Sequence, residues 1–128
     1  MKGSYVDGFV FPVPKKNVKA YKKMASEAAE VWMKFGALAY YECQGEDLKV
    51  KGSHGMPPPR SFVEMAKSGK GDTTWFSFIV FKNRKHRDAV NKKVMAHFEK
   101  KYADAKDMSM PFDTTKMAYG GFKVEVGA

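Results

Sequence analysis

The run Thr73-Thr74-Trp75-Phe76-Ser77-Phe78-Ile79-Val80-Phe81 is apolar on both faces of a strand. Successive strand side chains point to opposite sides, so Trp75, Ile79 and Phe81 take one face and Phe76, Phe78 and Val80 the other. Both faces therefore need cover. Tyr5-Val6-Asp7-Gly8-Phe9-Val10-Phe11 alternates in the same way, and Pro12-Val13-Pro14 is expected to stop it, because proline cannot continue a ladder. From about Lys15 to Phe35, Val18, Tyr21, Ala25, Ala28, Trp32 and Phe35 recur at three- and four-residue steps among lysines and glutamates, which predicts an amphipathic helix ended by Gly36. Ala37 to Gln44 reads as a second strand, with Leu38, Tyr40 and Glu42 on one face and Ala39, Tyr41 and Cys43 on the other. Asn83 offers an N-cap for a helix from Arg84 to about Tyr102, whose modest apolar face is Ala89, Val90, Val94, His97 and Phe98. Lys116 to Val126 supplies the last strand, where Gly120-Gly121 favours a bulge.

The order strand, helix, strand, strand, helix, strand is that of a ferredoxin-like α+β sandwich, βαββαβ, with an antiparallel four-stranded sheet. Two helices cover one sheet face. The other face carries strand aromatics, and an exposed apolar patch above about 400 Å² is unusual on a soluble monomer. A second copy is the natural cover, giving a homodimeric α+β barrel with an isologous interface. Residues 45–71, rich in Gly and carrying Pro57-Pro58-Pro59, read as a long connector, within which Ser61 caps a short helix from Ser61 to Lys67.

Composition adds limits. Residues 1–128 read as one ferredoxin-like domain, long enough to bury a core without disulfides or a structural metal. The single cysteine, Cys43, suits a reducing compartment, and neither a signal core nor a membrane-spanning stretch is visible, so the cytoplasm is the expected location, with no membrane partner. Lys and Arg number 23 against 14 Asp and Glu, a net charge of +9, with Arg84, Lys85, Arg87, Lys92 and Lys93 concentrated on the second long helix. That helix is the obvious anion-facing surface.

Several segments, taken together, resemble a known family. They are Tyr5-Val6-Asp7-Gly8-Phe9-Val10 followed by Val13-Pro14, Glu42-Cys43, Phe76-Ser77-Phe78-Ile79, Met110-Pro111-Phe112-Asp113, and Lys116-Met117-Ala118-Tyr119-Gly120-Gly121-Phe122. In this order they resemble the YbaA-like bacterial proteins of unknown function. The resemblance implies the dimeric α+β barrel superfamily and brings no known activity. The connector, with Met56-Pro57-Pro58-Pro59, departs from the family pattern by its length.

Candidate chemistry is sparse. Asp7 shares a strand face with Tyr5, Phe9 and Phe11, an unfavourable place for a charge unless it is paired. It is either the polar anchor of a ligand cleft or the acceptor of a structural lysine, arginine or strand end. Glu42, beside Cys43 near a strand end, is either a site carboxylate or a solvated rim residue. Cys43 itself is expected to be a small buried apolar residue. Trp75 and Tyr119 are candidate walls of an apolar pocket, against the plainer reading of aromatic core. The three histidines, His54, His86 and His97, show no ligand spacing, so neither a metal nor a cofactor is expected. The leading expectation is a small organic ligand bound or transformed in a pocket of a homodimer, with Asp7, Glu42, Trp75 and Tyr119 as candidate ligand residues. The alternative is a module binding anions or RNA through Arg84, Lys85, Arg87, Lys92 and Lys93, although exposed aromatics for base stacking are lacking there. A third reading is an interaction protein without a pocket.

Overall fold

A computed structural model describes residues 4–104 and 109–128; Met1, Lys2 and Gly3, which the sequence places ahead of the first strand, lie outside them. The elements are β1 (Tyr5–Pro14), α1 (Val18–Lys34), β2 (Ala39–Gln44), a short α2 (Phe62–Met65), β3 (Asp72–Phe81), α3 (Arg84–Lys101) and β4 (Ala118–Lys123). The four strands form one antiparallel sheet in the order β2-β3-β1-β4, the strand order of the ferredoxin-like sandwich. The α+β class read from periodicity is the one observed.

The register is continuous along all three ladders. Tyr5 pairs with Phe81 and Pro14 with Asp72, and Val10 with Ala118 closes the β1–β4 ladder. Two local expectations change. β1 runs through Pro12 and Pro14 instead of stopping before them. The β3 carbonyls of Thr74 and Val80 accept from Gly45 and Leu38, so even-numbered β3 residues face β2 and odd-numbered ones face β1. Even-numbered β1 residues then face β4, and beyond Val10 no β4 partner remains there. The missing proline N–H groups therefore cost no ladder bond. There is also no bulge at Gly120-Gly121, which pair regularly with Gly8 and Asp7.

The helix-covered face carries Tyr5, Asp7, Phe9 and Phe11 of β1, Trp75, Ser77, Ile79 and Phe81 of β3, Tyr40 and Glu42 of β2, and Tyr119 of β4. Phe11, Val13, Tyr21, Ala25, Trp75 and Phe112 form one buried cluster; Ala37, Ile79, Phe81, Val90 and Val94 form a second. Ala89, counted in the α3 apolar face, is exposed. α3 begins as the sequence predicts, with the Asn83 side chain accepting from the His86 N–H at 2.8 Å.

The opposite face is partly covered by the connector. Ser61 caps α2 by accepting from the Glu64 N–H, Ala66 is fully buried, and the Phe62 ring meets Phe76 edge-on at 6.2 Å. Tyr41, Phe76 and Phe122 stay exposed, Phe122 at 62%. Along the paired strands this face holds no lysine or arginine.

Candidate functional site

Two polar clusters sit on the helix-covered face. The first surrounds Asp7, which is 1% exposed at the centre of the sheet. Arg87, on the first turn of α3, donates Nη1 to Asp7 Oδ1 at 2.8 Å, and Asn91, one turn later, donates Nδ2 to Oδ2 at 3.2 Å. Both carboxylate oxygens are thus engaged by one helix. Arg87 also donates Nη1 to the Tyr119 hydroxyl at 2.9 Å and Nη2 to the Tyr5 hydroxyl at 3.2 Å, and its guanidinium lies over the Tyr5 ring at 5.0 Å. Trp32 of α1 donates its indole N–H to Asn91 Oδ1 at 3.0 Å, which ties both long helices to β1 through one amide. Burial pulls the Arg87 guanidinium down, but the charge of Asp7 and the hydroxyls and carboxylate around it prevail and hold it above the usual arginine value.

The second cluster surrounds Glu42 near the end of edge strand β2. Tyr21 of α1 donates its hydroxyl to Oε1 at 2.7 Å, and Tyr40, two residues back on the same strand face, donates to Oε2 at 2.6 Å. Burial first, then the Glu42 charge and its hydrogen bonds, push both phenols far above their usual range, so they stay protonated donors. Each oxygen of the Glu42 carboxylate thus accepts one phenol proton. Yet no Lys, Arg or His nitrogen among the described residues lies within 4.0 Å of it. Glu42 lines a groove of about 430 Å³ between α1 and β2, with Lys22 and Ser26 on one wall and Tyr40, Gln44 and Trp75 on the other.

Of the four ligand candidates, the fold brings Glu42 and Trp75 together at this groove. Asp7 and Tyr119 meet instead through Arg87. Among the cations of α3, Lys85, Lys92 and Lys93 are exposed and Arg84 lies 4.0 Å from Asp88, while Arg87 turns inward. Tyr5, Tyr21, Trp32 and Asn91 were not singled out as site residues from the sequence. A signal for the α3 pair existed: Arg87, Val90, Asn91 and Val94 share one helical stripe, so polar residues recur among the buried valines. Cys43, expected to be buried, is exposed on the open face, because β2 is an edge strand there. Among the described residues no three His, Cys, Asp or Glu side chains gather as a metal site, and no helix is long and apolar enough to cross a membrane.

Residues 4–114 match the family model described as "Protein of unknown function (DUF1428)". The chain belongs to this family. The "Uncharacterized protein YbaA" of Escherichia coli (strain K12) and that of Shigella flexneri are each 37% identical to it over 122 residues, 93% of this chain and 94% of theirs. The family resemblance carried by the strand and terminal segments is thereby shown, and family members occur in bacteria. Among solved structures, a Bacillus cereus protein related to NIF3 aligns at a TM-score of 0.36 and 9% identity; the match covers 98% of this chain but 27% of that one.

Proposed function

We propose that this chain is a homodimeric binding protein for a small organic molecule, held in the groove between α1 and β2 with Glu42 as its polar anchor. The observation that carries the reading is the carboxylate itself: it is half-buried, held in position by two tyrosine hydroxyls, and it opens onto a groove of about 430 Å³ lined by Tyr40 and Trp75. Small-molecule sites combine apolar walls with a few fixed polar groups in this way. Asp7 is the weaker anchor, since both its oxygens are engaged and it is sealed from solvent.

The homodimer rests on the open sheet face. Tyr41, Phe76 and Phe122 are exposed on strands that present no cation on this face, although the chain as a whole has a charge of +9. Two copies that meet through these strands bury aromatics worth about 1.5–3 kcal/mol each when fully covered. A cytoplasmic location is consistent with the exposed thiol of Cys43.

Native mass spectrometry of the purified protein at low micromolar concentration tests both parts. The expected result is a dimer with a stoichiometric extra mass that is lost in Glu42→Gln. An extra mass retained in that variant moves the site elsewhere, and a clean monomer removes the dimer.

A further inference from the structure

The groove reading can be taken to a ligand class by counting protons. A carboxylate only accepts hydrogen bonds, and each phenol has a single proton to give. Tyr21 and Tyr40 direct those protons to Glu42 Oε1 and Oε2. The cluster of carboxylate and phenol oxygens therefore has lone pairs left and no proton left to donate. Its net charge is negative, and no cationic nitrogen among the described residues lies within ion-pair distance. Removing such a charge from water is unfavourable unless an opposite charge accompanies it. Tyr40 lines the groove nearby, with Trp75, 3% exposed, beneath it. Aromatic faces attract cations through the ring quadrupole, most strongly for tryptophan.

On these grounds, and resting on the groove reading above, we propose that the ligand presents an organic ammonium group to Glu42. The ammonium brings the donors the cluster lacks and neutralises its charge, while its hydrocarbon part lies along Tyr40 and Ala29. Lys22, on the α1 wall of the same groove, is the built-in competitor, since its own ammonium is the one cation of this chain that lines the groove among the described residues. A cationic ligand is thus expected to bind more tightly once Lys22 loses its charge, whereas an anionic ligand would bind more weakly.

The test is an NMR titration of the intact protein at neutral pH with benzylamine, which is protonated there, beside benzyl alcohol as its uncharged counterpart. The expected result is saturable shifts at Ala25, Gln44 and the Trp75 indole with benzylamine. Affinity should fall at least tenfold for benzyl alcohol and in Glu42→Gln, and rise about threefold in Lys22→Met. Lys22→Met leaves the tyrosine–carboxylate cluster intact, so it decides the matter even if Glu42→Gln folds poorly. Equal binding of the two probes, or weaker benzylamine binding in Lys22→Met, overturns the ammonium class while leaving the groove as a ligand site. Absence of shifts with both probes overturns the ammonium proposal, and a clean native mass spectrum alongside it removes the groove reading as well.

Discussion

Arg87 and Asp7, separated by 80 residues in sequence, form a 2.8 Å ion pair that joins the first turn of α3 to the interior strand β1. The Arg87 side chain is 13% exposed and that of Asp7 is 1% exposed, so neither is well solvated once its partner is removed. Breaking a buried pair from one side typically costs about 3–5 kcal/mol. Asp7→Asn is expected to lose about 3 kcal/mol of stability in chemical denaturation. The double variant Asp7→Asn with Arg87→Met should lose less than Asp7→Asn alone, because it leaves no inward-facing Nη1 without its carboxylate; Asp88 engages only Nε, at 2.8 Å. A loss below about 1 kcal/mol in the single variant would show that the pair does not hold α3 to the sheet.

The tyrosines around Glu42 set an alkaline limit. Tyr21 and Tyr40 are held well above their ordinary value of 10.0, by burial and by the carboxylate. Below pH 10 both are protonated in the folded and the unfolded chain, and they add no pH dependence. Above it the unfolded chain releases the protons and the folded chain keeps them, so stability falls by about 1.4 kcal/mol per pH unit for each tyrosine. Phenolate absorbance from these two residues should appear only as the chain unfolds. In Glu42→Gln it should appear at lower pH, since the charge and its hydrogen bonds no longer add to burial.

The adjacent glycines of β4 should respond differently to a methyl group. A Cβ on Gly121 collides with the Tyr5 hydroxyl, which is itself held by Arg87, whereas one on Gly120 meets the Phe122 ring at an ordinary 3.5 Å. Gly121→Ala is expected to cost about 1–3 kcal/mol and to displace Tyr5. Gly120→Ala should stay within about 0.5 kcal/mol of the parent in the same denaturation assay.

The proposed dimer makes its own prediction. Phe122 is the most exposed of the open-face aromatics at 62%, so Phe122→Lys places a charge in the interface while removing little from the core. Sedimentation velocity should show dimers for the parent and monomers for the variant, with unchanged far-UV circular dichroism. A variant that sediments as a dimer would assign the contact to another surface.

The strands and long helices were legible because their signals are local. Alternation placed Trp75, Ile79 and Phe81 on one face, and Asn83 marked the start of α3, all within a few residues. The Asp7 cluster was not, because its members are scattered from Tyr5 to Tyr119 and only the strand order brings them together. A charge count also places Arg87 among surface cations, since it cannot register that the side chain turns inward. The prolines of β1 misled for a related reason: proline ends a strand only where its missing N–H faces a partner, and that depends on where β4 stops. At Gly120-Gly121 the absent side chains make room for the Tyr5 and Phe122 rings, so the ladder stays regular.

The strand order also sets a timetable for synthesis. β1 leaves the ribosome before either of its neighbours, β3, which ends at Phe81, and β4, which ends at Lys123. Its partners for the buried carboxylate, Arg87 and Asn91, also lie in the second half of the chain. The nascent chain therefore holds a strand rich in Phe and Val that has nothing to pair with until β3 emerges, and the second edge of that strand closes only once β4 has followed. Folding of this chain is committed late, and the interval before β3 emerges is when the growing polypeptide most needs protection from its neighbours.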